Sequence, residues 1–218
     1  MAQATTVDDF FLRLEAAGFL LRVDPRVMPT MFRGAILSET ELALLRQVTD
    51  VVRQGRVHRI GRDRMTLDHG DVETPPGAVH VHCAAAGLAQ PPLRPIFEPG
   101  WLTVQPTAWG FASFQFALLG AAEALIDSDE EKNRLCRPIN YWDHPGDYLK
   151  AYMALLAGER SRAAHPALAA WARDSRLNSL ARLGEFSNHP TVVETRVLLK
   201  KVGAVAIENV ARLLAPSK

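Results

Sequence analysis

The sequence predicts an α/β fold arranged in α+β fashion: a β-meander, a strand–helix unit and a helical C-terminal region. Three observations carry that prediction. Between Val51 and Gly87 the apolar residues change from helical spacing to short alternating runs. A short strand over Trp101–Gln105 then turns through Pro106 and Gly110 into an almost wholly apolar helix, Phe111–Ile126. After Asp127 the spacing is helical to the end. The chain therefore divides at residues 1–50, 51–126 and 127–218, read together as one compact unit.

The first helix is expected from about Val7 to Ala17, capped by Thr6, with Asp8 and Asp9 at the positive end of its dipole and Gly18 at its close. Phe10, Phe11 and Leu14 form its apolar face. Pro25 and Pro29 make residues 19–37 extended rather than helical. Ser38 and Glu41 have capping-box spacing and open a helix that turns Leu42, Leu45 and Val48 inward. Strands follow over Arg56–Ile60, Arg64–Asp68 and Ala78–Ala84, separated by glycine and proline turns. Four prolines make 89–100 irregular.

Asp127–Leu135 begins the helical region, followed by helices over Gly146–Ala157, Pro166–Arg173 and Pro190–Leu214. In the last, Leu198, Leu199, Val202, Val205, Ala206, Val210 and Leu213 lie on one arc, opposite Glu194, Lys200, Lys201, Glu208 and Arg212. Pro190 suits a first helical turn, and Pro216 lies beyond the end.

Composition narrows the function. In 218 residues, 48% hydrophobic, there are 25 basic and 24 acidic side chains, a net of +1. Such a balance supplies no field for nucleic acid or an anionic membrane. Only Cys83 and Cys136 are present, which suits a reducing cytoplasm and excludes a dithiol centre. The N-terminal residues lack the pattern of a secretory signal. Phe111–Ile126 is shorter than the roughly 20 residues that span a bilayer. A cytoplasmic protein with no nucleic-acid or membrane partner is the expectation.

Several ordered segments then carry a resemblance. They are Gly55–Ile60, the run from Val79 through Ala84, Ala85, Ala86 and Gly87 to Leu88, Arg94–Gly100, Leu102–Pro106 and Glu130–Pro138. Together they resemble the C-terminal portion of bacterial FAD/NAD(P)-binding oxidoreductases of the pyridine-nucleotide flavoprotein type, over about Val7 to Ala157. The resemblance implies hydride or electron transfer through FAD, with NAD(P)H as donor. It places Ala86 and Gly87 where backbone approaches the cofactor, and Gln105, Trp109, Gly110, Ser113 and Gln115 at the flavin-facing strand and helix.

The chain departs from that pattern in having no Gly-x-Gly-x-x-Gly and no phosphate-binding Gly-x-x-x-x-Gly-Lys-Ser/Thr. Gln105-Pro106-Thr107 stands where a Gly-Asp pair belongs. The flavoprotein reading therefore requires a dinucleotide-binding partner or a further N-terminal domain, as in a truncated, split or degenerate relative. The competing reading is a non-catalytic interaction protein that pairs with itself or with a separate FAD-binding subunit. The sequence names no catalytic acid or base.

Other candidates have plainer readings. His80, His82 and Cys83 alternate across a strand and do not converge on a metal, so no metal site is expected. Arg53, Arg56, Arg59, Arg62 and Arg64 read as a solvated meander surface, with Asp50, Asp63 and Asp68 among them. Tyr141-Trp142-Asp143-His144-Pro145 either lines a pocket or caps the next helix. Ser113 is not in a Gly-x-Ser-x-Gly elbow, so hydrolysis finds little support.

Overall fold

The computed structural model describes residues 1–32, 36–83, 92–109, 111–140, 142–179 and 181–215, with backbone alone at 182 and 183. Contacts gather the chain into two units, one formed by Met1–Leu37 with Gln90–Lys218 and the other by Ser38–Ala89. These limits cut across the divisions at 50 and 126.

In the first unit, α1 (Val7–Ala16) starts where Thr6 accepts the Asp9 amide at 3.0 Å, and the chain leaves it through Gly18 at φ +78°. Phe10 is fully buried with Ala4, Leu149 and Val210, so α1 lies against α5 (Pro145–Ala163) and α7 (Pro190–Leu213). A two-strand ribbon pairs β4 (Phe97–Glu98) with β5 (Trp101–Leu102). Its turn places Pro99 before Gly100 at φ +77°, the left-handed setting that glycine adopts without strain.

The strand expected over Trp101–Gln105 is thus two residues long, and its partner comes from the stretch expected to be irregular. Asn133 explains the pairing. From α4 (Asp129–Leu135) its side chain accepts the Ile96 and Phe97 amides at 2.9 and 3.0 Å and donates to the Phe97 carbonyl at 2.7 Å.

Helix α3 (Ala112–Leu125) buries Phe114, Leu118, Leu119, Ala121 and Ala122 in the largest core cluster, with Ile96, Leu135, Cys136 and Leu168 of α6 (Pro166–Asp174). It is not buried all round, since Phe111 beside it and Phe116 and Leu125 on it are exposed. The Arg162 guanidinium is buried and donates to the Thr107 and Leu135 carbonyls, both at 3.1 Å, tying α5 to the end of α4. Gly158 makes the room, for a Cβ there would lie 2.9 Å from that guanidinium.

The arc expected to be buried on α7 is largely open: Ala206 and Val210 are buried, whereas Leu198, Leu199 and Val205 are exposed. Helical spacing located the helix, but among the described residues it is the C-terminal half, at Val210 and Leu213, that packs into a core cluster.

In the second unit, the expected capping box forms at α2 (Glu39–Leu45), with the Glu41 amide donating to Ser38 and the Ser38 amide to Glu41. Leu42 is buried, but Leu45 and Val48 are exposed. The helix is too short to turn both toward the same neighbours. Three antiparallel strands follow in the order β1 (Val57–Ile60), β2 (Arg64–Leu67) and β3 (Gly70–Glu73).

The third strand therefore lies where a separator was expected. Gly70 at φ +146° permits the tight turn that returns the chain at once. Pro75, Pro76 and Gly77 then end the sheet. The described part of the expected 78–84 strand is irregular, with Val79 86% and Val81 76% exposed. The class is α+β: helices plus two small antiparallel sheets. Among the described residues, no helix is long and apolar enough to cross a membrane.

Candidate functional site

Of the residues singled out by the flavoprotein resemblance, Gln105, Trp109, Ser113 and Gln115 are among the described residues. Ala86, Gly87 and Gly110 lie outside the described residues. Gln105 is buried, and both ends of its amide are taken: its oxygen accepts the Arg94 amide at 3.2 Å and its nitrogen donates to the Arg94 carbonyl at 2.7 Å. Gln115 is buried too, its oxygen accepting the Thr107 amide at 3.2 Å. Both glutamines latch loops to the core. Trp109 packs against Ile139, Ala151 and Leu155, with its ring edge-on to Tyr152 at 5.4 Å. Ser113 is exposed in the first turn of α3.

The remaining candidates resolve into structural roles. His80, His82 and Cys83 are exposed, and no group of three metal-ligating side chains occurs among the described residues. Cys136 is buried in the core, and burial pushes its thiol up to about 11, which leaves it protonated and unreactive. Arg64 is near Asp63 and Asp71 at 3.8 and 4.0 Å, so the arginine-rich meander is partly neutralised. His144 sits at the start of α5, its amide donating to Asp147 at 3.3 Å and its ring meeting the Thr30 carbonyl at 3.1 Å. His144 thus caps α5, while Tyr141 of the same loop lies outside the described residues.

A cleft that the sequence did not reveal lies along α1. Asp8, Phe11, Leu12 and Glu15 recur at helical spacing on one face, and residues 20–32 with Leu37 border them to enclose about 350 Å³. Leu20, Leu21, Val23, Met28, Met31 and Phe32 supply an apolar wall. Phe32 is fixed by edge contacts to Phe11 at 5.4 Å and Tyr148 at 5.3 Å. Glu15 closes one end, accepting Arg22 Nε at 2.8 Å and the Arg22 amide at 3.2 Å. The volume lies in the range of small-molecule sites, and the lining has their usual form, apolar with a few placed polar groups.

Backbone strain marks the same place. Leu20 has φ +56°, a left-handed setting that costs a leucine of order 1–3 kcal/mol and is held only by its surroundings. The missed signal was in 19–37: two prolines block a helix, yet the segment is rich in apolar residues. An apolar segment that cannot become a helix must cover something, and α1 is the helix beside it.

In comparison with known proteins, the chain is similar to uncharacterized proteins of Mycobacterium bovis and Mycobacterium tuberculosis. Identity is 37% over 213 residues, which is 97% of this chain. The chain spans 40% of the length of those relatives. No protein-family model matches it. No solved structure matches it either.

Proposed function

We propose that this chain is a binding module that takes an apolar small molecule in the α1 cleft. One observation carries the reading: an apolar, partly enclosed cavity of about 350 Å³ walled by a helix and a strained return segment. Asp8 at the cleft has no ion-pair partner among the described residues, which favours neutral or cationic ligands over anions. As a part of a longer polypeptide, such as the mycobacterial relatives, the module would hold a ligand for chemistry or signalling elsewhere.

The test is a titration with N-phenyl-1-naphthylamine, a neutral dye that brightens in apolar surroundings. A saturable rise in emission, weakened roughly tenfold by Leu12→Asp, supports the reading, because a carboxylate on the apolar cleft wall would have to be desolvated by an apolar ligand. A rise that does not saturate, or that ignores the substitution, rejects it.

A second reading is flavin-dependent hydride or electron transfer, with NAD(P)H as donor, completed by a dinucleotide-binding domain or partner. Its support is the ordered series of segments from Gly55 to Pro138. The commitment of Gln105 to Arg94 weighs against it. A visible spectrum decides: bands near about 370 and 450 nm that survive gel filtration with added FAD favour it, and a colourless protein removes it.

A further inference from the structure

The opposite side of α1 borders a larger cleft, of about 680 Å³, between residues 1–3, α5 and α7. Its wall is apolar, formed by Leu156 of α5 and by Leu199, Val202, Ala206 and Ile207 of α7. Two arginines line it, Arg13 and Arg160, and no carboxylate does among the described lining residues. Arg13 is already engaged, its Nε 3.0 Å from Asp9. Arg160 is exposed and makes no ion pair or side-chain hydrogen bond among the described residues. Leu199 is 60% exposed, an apolar side chain with little of this protein to cover it. An uncompensated guanidinium beside an apolar wall selects a ligand with both characters.

We infer that this cleft binds a single-chain anionic amphiphile, with its carboxylate on the Arg160 guanidinium and its hydrocarbon along Leu156, Leu199 and Val202. Tyr152 adds a phenol to the lining, and its ring contact with Trp109 makes the indole a reporter of occupancy. The inference concerns a different cavity from the α1 cleft and stands apart from the function proposed for it.

The test uses the whole chain and sodium dodecanoate below its micellar concentration, followed by calorimetry and by Trp109 emission. Saturable binding is expected, at least about tenfold tighter than for dodecyltrimethylammonium. Arg160→Ala should weaken dodecanoate by roughly tenfold while Arg160→Lys recovers part of the loss, since the point charge returns without the fork. Neither change should alter the neutral dye's affinity, and circular dichroism should stay unchanged because Arg160 is exposed.

Equal affinity for the two amphiphiles, or dodecanoate binding indifferent to Arg160→Ala, would overturn the inference. So would Arg160-dependent sedimentation with phosphatidylglycerol vesicles in the absence of dodecanoate binding, which would assign the arginine to a bilayer surface. A dimer that buries the cleft and excludes dodecanoate would overturn it as well.

Discussion

The two clefts beside α1 share a helix and differ in almost everything else. The smaller is closed by an irregular, proline-bearing segment and carries Asp8 together with the Glu15–Arg22 pair. The larger is walled by two long helices and carries Arg13 and Arg160. Helix α1 sorts these charges by its own period: Asp8 and Glu15 are seven apart on one face, while Arg13 points away from them. One ten-residue helix thus gives its two sides opposite electrostatic preferences.

Breaking the shared wall should have the largest effect. Phe10 is fully buried between α1, α5 and α7, and Phe10→Ala should cost about 3–5 kcal/mol in a denaturant titration. It should also abolish binding on both sides. Loss of one ligand alone would show that α1 is not a common wall.

Next comes the selective change. Leu12→Asp should weaken the neutral dye roughly tenfold and leave dodecanoate within experimental error, because only the smaller cleft includes Leu12. Asn209 offers the reciprocal case. Its amide nitrogen donates to the Met1 and Ala4 carbonyls at 2.9 and 2.8 Å, holding the first residues against α7. Asn209→Ala should cost about 1–2 kcal/mol and loosen the larger cleft only, measured by thermal melting and dodecanoate calorimetry.

Smaller still is the cap. Thr6→Ala removes the acceptor for the Asp9 amide and should lower stability by about 1 kcal/mol, with both affinities reduced together.

The acid response is the finest probe. The Thr5 amide, then Arg13, holds the Asp9 carboxyl below its ordinary 3.8. A lowered folded-state value makes its contribution complete above about pH 4 and lost as pH falls through the lowered value. Carboxyl chemical shifts across that range should show Asp9 titrating late. Dodecanoate is unsuited to this window because it protonates there too. The comparison is therefore one of melting temperature for the native chain and Asp9→Asn, whose difference should shrink with acidification.

Much of the fold was legible where local chemistry decides it. Thr6, Ser38 with Glu41, Pro166 and Pro190 mark helix starts within a residue or two, since each completes a cap or tolerates a first turn by itself. What long-range partners decide was less legible. No periodicity announces that Asn133 will hold Phe97 in a ribbon, or that Val79 and Val81 will be exposed and unpaired among the described residues.

The candidate site lay further out of reach. Alternation and helical arcs report which residues are apolar, not which are left uncovered. Leu199 and Val210 stand on the same predicted arc of α7, yet one is mostly exposed and the other fully buried. The amides of Gln105 and Gln115 were equally hard to place from sequence, because a buried amide is as useful for latching a loop as for holding a cofactor.

The Phe10 anchor of α1 has a thermodynamic consequence. A helix anchored at Phe10, with Val7, Phe11 and Leu14 packed beside it, and bordered by two cavities has its remaining freedom of tilt and fraying shared by both. Occupancy on either side restricts that freedom, and the second ligand then meets a helix already ordered. The two affinities are therefore linked quantities, and the factor by which dye changes dodecanoate affinity must equal the factor by which dodecanoate changes that of the dye.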